Sequence, residues 1–484
     1  MSRHSLSGNS VKLYQAIFGL AFLAVCIRTV KGLMYGRMTN AKMTAAISLA
    51  VGLVLMLDKY YWIMAPVCWI MKIKIPGLPF DSWELGCLAV AAVHFIRVGL
   101  RREHAVRMNG RLLVTLPLLF WICLVWVLRP TGVNMLGSGS IGGRFYIKVA
   151  CGYLAMFALS TVRLTHRDCK ILFYTLLAAA TFGVLSSFSL KGLAPLDDDS
   201  GVDAATRYKF LCFLPLYEIL FIRYSLREVI HVWWTFLSAL ILGFFVVYSG
   251  KRSATATLVF IPYYRALLTR KQLGTAVIAS IVGIFILFLG VGLDGTFYRV
   301  PRSMARGLAI VVPKYKRRYR LEGVQDTFRD HMRMEARAAI RKNPWIGRGG
   351  FRMDHGETVW TNSRNSAFGG HALAGAWHSA VYAYPADFGI PALLFWLLFN
   401  IYALVFVTKL AWRVRDGTHQ AACVYYYGFL LFHAATFAYT SGHSSMSTMQ
   451  LCFEYGMALA LANGVEDEEK QRLLEMEQES VPNA

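Results

Sequence analysis

The chain has 484 residues, 56% hydrophobic, 14% aromatic and 16% charged, and its 51 Lys and Arg against 28 Asp and Glu give a formal net charge of +23 at pH 7. Repeated apolar runs of about 17–25 residues exceed what a soluble core helix needs and exclude an ordinary water-soluble fold. Nor does the positive charge indicate nucleic acid: the basic residues concentrate in short loops between apolar runs, where the positive-inside bias places them.

From the N-terminus, residues 11–27 form an apolar span with no small-residue cleavage site after it, and read as a membrane helix that is retained. Further apolar runs follow at 43–71, 83–100, 111–128, 145–162, 171–190, 208–224, 231–248, 253–268, 274–293, 388–408, 420–439 and 448–463. The run at 43–71 is too long for one untilted span and carries Asp58-Lys59. The expected fold is therefore an all-α integral membrane protein, a polytopic bundle of roughly 12–14 transmembrane helices. The nine cysteines lie in or beside these runs and suggest neither an oxidised scaffold nor a CxxC metal site.

Five basic loops share one alternating register: Arg101 to Arg111, Arg163 to Lys170, Arg223 to Arg227, Arg265 to Lys271, and Lys409 to Arg415. If these are cytoplasmic, 129–144, 191–207, 249–252, 294–387 and 440–447 lie on the opposite side. The expected organisation is N-terminal transmembrane helices over 1–293, a long, partly helical outer loop over 294–387, C-terminal transmembrane helices over 388–465, and an acidic cytoplasmic tail over 466–484. The long loop is itself basic, which is no contradiction, since loops beyond about 60 residues escape the orientation rule.

Within that loop, QDTFRDHMRMEARAAIRK (325–342) repeats Phe328, Met332, Ala336 and Ile340 at four-residue spacing, as an amphipathic helix should. Arg329, Arg333 and Arg337 form a neighbouring stripe. Asn343-Pro344 ends the helix, because the residue before proline avoids the helical region. Next comes a turn-rich RKNPWIGRGG, in which Gly347, Gly349 and Gly350 have no preceding strand and no GK[ST] after them, so they shape a turn rather than a nucleotide loop.

Three further places can carry chemistry. In YSGKRSATATLVF, Lys251 and Arg252 stand where one helix ends and the next begins, and a helix N-terminus with a guanidinium is an anion site; the alternative is a snorkelling turn. Arg207 lies at the mouth of another helix, either as a second anion contact or paired with Asp197, Asp198, Asp199 or Asp203. His378, in AWHSAVYAYPADFGIP, enters an apolar run and titrates near neutrality, as a general base requires. Taken alone, such a histidine is more often structural. His355, His371 and His443 show no HxxH or HExxH spacing, so no metal site is expected.

The PxxGxG element Pro344-Gly347-Gly349, the stretch from His378 to Asp387 and Gly389, and the Ser249 to Arg252 turn together resemble the signature elements of the O-antigen ligase and O-antigen polymerase superfamily. Ser379 stands where that pattern has Asn, and Asp387 where it has Glu. The resemblance implies a multi-pass protein of the bacterial inner membrane whose active site faces the periplasm. It implies an inverting, metal-independent glycosyltransferase with no cofactor. The glycan would pass from a polyprenyl-diphosphate carrier to a sugar hydroxyl, on a growing glycan in a polymerase or on the lipid A core in a ligase.

On that scheme Arg252 and Arg207, with Lys251, neutralise the departing diphosphate, and His378 activates the acceptor. The stripe Arg329, Arg333 and Arg337 attracts anionic lipid and glycan. Pro385 makes one unbroken helix from His378 to Asp387 doubtful, which leaves Asp387 a structural or orienting role. Expected partners are the donor, the acceptor, membrane lipids and other polysaccharide-assembly proteins. The competing class is a transporter without covalent chemistry, for which Glu218 and His94 within apolar runs are the pointers.

Overall fold

A backbone in hydrocarbon has no water to bond, so an apolar run must satisfy its N–H and C=O groups within itself, and a helix does so. The computed structural model describes residues 60–71, 82–100, 105–106, 108–130, 143–189, 210–269, 273–275, 277–278, 281, 293–294, 299–301, 304–305, 308–309, 312, 314–315, 324–349, 379–436 and 444–480. Every regular element among these residues is helical. By length and composition Ser82–Gly99, His166–Leu185 and Ile390–Arg413 can each cross a membrane, and shorter apolar helices accompany them. The expectation of an all-α membrane protein holds.

The chain divides into two units, residues 1–103 and 104–484. In the first, a 3-10 turn at Tyr61–Ile63 leads into α1 (Met64–Met71), which packs on α2 (Ser82–Gly99). His94 is buried on α2, its Nδ1 lying 3.2 Å from the Tyr61 hydroxyl. Its polar ring is thus accommodated inside an apolar pair.

The second unit opens with α3 (Gly110–Leu113) and α4 (Leu116–Leu128), followed by α5 (Gly143–Leu159) and α6 (His166–Ser189). Then come α7 (Leu214–Arg223), α8 (Leu226–His231), α9 (Trp233–Tyr248) and α10 (Arg252–Thr269). The apolar run expected over 231–248 is preceded by α8 as a separate turn of helix. Ser225 caps α8 in a capping box with Glu228, which satisfies its first N–H groups locally. Next are α11 (Val324–Lys342) and α12 (Ala380–Phe388), then α13 (Ile390–Arg413), α14 (His419–Thr436) and α15 (Ser444–Ser480).

The tightest pairing is α5 against α15. A Cβ at Gly152 would sit 2.6 Å from the Met449 Cα, and one at Gly456 would sit 2.9 Å from the Met156 Cα. Small residues let two backbones touch where lipid provides no hydrophobic drive for association. Around this pair aromatics of α13 and α14 close in, with Phe399 and Phe406 set edge-on to Tyr455 and Tyr427 edge-on to Phe453.

α15 continues as helix into the acidic segment, where four consecutive acids, Glu466 to Glu469, meet residues from several basic loops. Glu466 pairs with Arg111 at 2.5 Å and Arg413 at 3.5 Å, and Asp467 with Arg163 at 2.7 Å. Glu468 accepts from the backbone N–H of His166 at 2.8 Å and from the Gln420 amide at 3.3 Å, while Glu469 pairs with Arg413. Arg265 reaches Asp416 at 3.1 Å and Arg223 donates to the Gly417 carbonyl at 3.0 Å. The five basic loops therefore meet at one end of this unit. Burial pushes the Glu466 carboxyl up, but the Arg111 and Arg413 guanidinium groups outweigh it and hold the carboxyl below its ordinary range.

Candidate active site

At the opposite end, two glycine-marked segments clasp each other. α11 ends at Lys342, and the chain turns through Asn343 to Gly349 with Gly347 at φ 67° and Gly349 at φ 73°. α12 ends at Phe388, and Gly389, at φ 85° and ψ 168°, is the only residue before α13 begins at Ile390 with Pro391 in its first turn. That region of backbone space is essentially closed to any other residue.

Four backbone contacts join the two segments. The N–H of Arg348 donates to the Ala386 carbonyl at 2.9 Å, the N–H of Gly349 to the Asp387 carbonyl at 2.9 Å, and the N–H of Ile390 to the Pro344 carbonyl at 2.8 Å. The fourth is a close approach without a hydrogen bond: a Cβ on Gly389 would fall 1.8 Å from the Trp345 carbonyl oxygen. These bonds supply partners to backbone groups that a helix end and a turn leave open.

Asp387 is fully buried at the centre of the clasp. The Ser444 hydroxyl donates to its Oδ2 at 2.6 Å, and Arg348 Nη2 stands 3.8 Å from Oδ1. A buried carboxylate is tolerated only when charge and hydrogen bonds compensate it, and here both do. The Tyr384 hydroxyl, one turn earlier on α12, lies 2.7 Å from Thr448 Oγ1 and donates to the Ser444 carbonyl at 3.1 Å. From α4, the Trp121 indole donates to the Phe388 carbonyl at 2.8 Å, and Arg129 donates to the Asn343 side chain at 2.6 Å. The clasp is thus held by α4, α12, α13 and α15 together. Pro385 lies within α12, and the helix carries past it to Phe388.

A family model described as O-Antigen ligase matches residues 237–397. Over those residues the chain is similar to the O-antigen ligase family. No curated protein matches it. The matched stretch runs from α9 to the first turns of α13 and contains both halves of the clasp, whereas Trp121, Arg129, Ser444 and Thr448, which brace it, lie outside.

Of the residues singled out in the sequence, Lys251 is exposed in the turn between α9 and α10, and its N–H donates to Ser249 Oγ at 3.3 Å. Gly250, at φ 68°, makes that turn, and Arg252 is the first residue of α10, so a helix begins there as expected. Arg329, Arg333 and Arg337 fall on α11, where Ala336 is buried and Arg333 and Arg337 are exposed. Arg337 lies over the Tyr382 ring of α12 at 5.9 Å and donates to its hydroxyl at 3.3 Å. Arg207 and His378 lie outside the described residues, as does Gly350.

Sequence reading did not find Arg348, Ser444, Tyr384 or Arg129 as members of one group. Arg348 carried a usable signal, as a charged residue flanked by two glycines. Ser444 and Arg129 carried none, since each sits at an ordinary helix end.

Proposed function

We propose that this protein is a membrane glycosyltransferase that moves a glycan from a polyprenyl-diphosphate carrier to a sugar hydroxyl, with inversion and without a metal. The observation that supports this best is the clasp of Pro344–Gly349 with Pro385–Ile390, set at the end of the bundle opposite the basic loops. It ties the amphipathic arginine helix α11 to the short helix that His378 leads into. On this reading Arg252, Arg207 and Lys251 balance the charge of the departing diphosphate, because fixed cations stabilise charge that develops as the bond breaks. His378 takes the acceptor proton. A donor already activated as a diphosphate ester explains transfer without a nucleotide.

The fold that goes with it is a bundle of about 12–14 spans in the bacterial inner membrane, with 294–387 facing the periplasm. We favour polymerisation of surface-polysaccharide repeat units, since the long loop offers room for a growing chain; attachment to a lipid A core is the alternative. A transporter reading rests on Glu218 and Glu454, both buried on helices of the bundle. One experiment separates the classes: purified protein is given a polyprenyl-diphosphate glycan and an acceptor, and free carrier diphosphate is measured. Carrier release coupled to glycan extension is expected. Movement of glycan across a vesicle without carrier release would overturn the enzyme reading.

A further inference from the structure

Trp345 is 67% exposed although the backbone on both sides of it is tied down. Pro344 is held through its carbonyl by Ile390, the Gly347 N–H donates to the Asn343 carbonyl at 3.0 Å, and Arg348 is held by Ala386. The Trp345 carbonyl itself lies hard against Gly389. The indole has only its two side-chain torsions to move with and cannot retreat into the core. A large rigid aromatic that loses little entropy on contact is well suited to be a binding surface.

The chemistry around it selects the partner. Arg341 and Lys342, in the last turn of α11, are exposed, and Arg348 keeps 27% of its side chain in the open beside Asp387. A ring with an apolar C–H face and a rim of hydroxyl or carboxylate groups fits an exposed indole with cationic residues three and four positions before it and three after it in the chain, and a pyranose is such a ring.

We propose that Trp345 is the stacking platform of a glycan subsite, with Arg341, Lys342 and Arg348 as donors to the sugar's oxygen atoms. The proposal deepens the glycosyl-transfer reading and rests on it. Trp345 is a specificity contact away from the bond that breaks, so its loss weakens glycan binding equally in ground and transition states and raises KM without lowering kcat.

The test uses full-length protein in nanodiscs as wild type, Trp345→Ala and Trp345→Phe. Transfer is measured against the concentration of polyprenyl-diphosphate glycans of one and of several repeat units, and contact with free oligosaccharide is read by saturation-transfer NMR. Trp345→Ala is expected to raise KM for the longer glycan about tenfold, the factor that 1.4 kcal/mol represents. Its kcat should stay within about twofold, it should lose the oligosaccharide signal, and Trp345→Phe should recover most of both. Unchanged KM and unchanged oligosaccharide contact in Trp345→Ala would overturn the subsite. So would a defect that follows anionic lipid content instead of glycan length, which would make Trp345 a membrane-interface anchor. If wild type transfers no glycan, the transferase reading fails by itself, and the oligosaccharide signal still decides the subsite.

Discussion

The N–H of Ile390 donates to the carbonyl of Pro344 at 2.8 Å and so joins the start of a membrane helix to a turn in the long polar stretch. Gly389, between α12 and α13, makes that bond possible. Replacing it with alanine forces a residue with a Cβ into a conformation that costs about 1–3 kcal/mol, and drives that Cβ into the Trp345 carbonyl. Gly417, at φ 82° but with open space around it, provides the control. Thermal unfolding in detergent should show a much larger loss for Gly389→Ala than for Gly417→Ala. Equal losses would mean that the clasp adds nothing beyond backbone strain.

Ser444 and Arg348 compensate the same buried carboxylate, so the two halves of the site are coupled through Asp387. Ser444→Ala should destabilise by about 1–3 kcal/mol, because it leaves a buried acceptor short of a donor. Asp387→Asn and Ser444→Ala together should show a coupling energy of about 0.5–3 kcal/mol in a double-mutant cycle. Strict additivity would show that the hydroxyl and the carboxylate do not depend on each other.

The clamp of Glu466, Asp467, Glu468 and Glu469 on the basic loops marks one end of the helical bundle, whose side of the membrane can be tested directly. In a cysteine-free background, Gly356→Cys should react with an impermeant maleimide on whole cells, and Lys470→Cys only after permeabilisation. The reverse pattern would invert the topology. Lys470 suits this purpose because it is exposed on α15.

Arg252 opens α10 two residues after the left-handed Gly250, where a helix N-terminus and a guanidinium can share an anion. Arg252→Lys keeps the charge but loses the planar fork that matches phosphate oxygens, so turnover should fall with the lysine and further with alanine. Wild-type rates in both variants would remove the anion-site role.

His378, proposed as the acceptor's base, should be far more sensitive to substitution than a packing residue. His378→Ala should insert normally and transfer about 10²–10⁴-fold more slowly. Only the neutral imidazole accepts a proton, so the wild-type rate should decline as pH falls below about 6.5, the ordinary histidine value. The alanine variant's residual rate should lack that acid limb. A full rate in the variant, or an acid limb that persists, would assign the chemistry elsewhere.

Local pattern alone determined a good deal of this protein. Apolar run length made it an all-helical membrane protein, four-residue spacing placed a helix over 325–342, observed at Val324–Lys342, and Asn343-Pro344 marked its end. The glycines at 347 and 349 were legible as a turn because positive φ is a property of a residue and its immediate neighbours. What that turn is for became clear only in three dimensions. The pairing of Pro344–Gly349 with Pro385–Ile390, the Ser444 hydroxyl on Asp387, and the four acids of α15 on Arg111, Arg163, His166 and Arg413 all join segments distant in the chain. Periodicity reports which face of one helix is apolar, but it carries no information about which distant backbone completes a turn's hydrogen bonds. Those partners are chosen when the helices pack, because a buried N–H, carbonyl or carboxylate must find compensation wherever packing brings it.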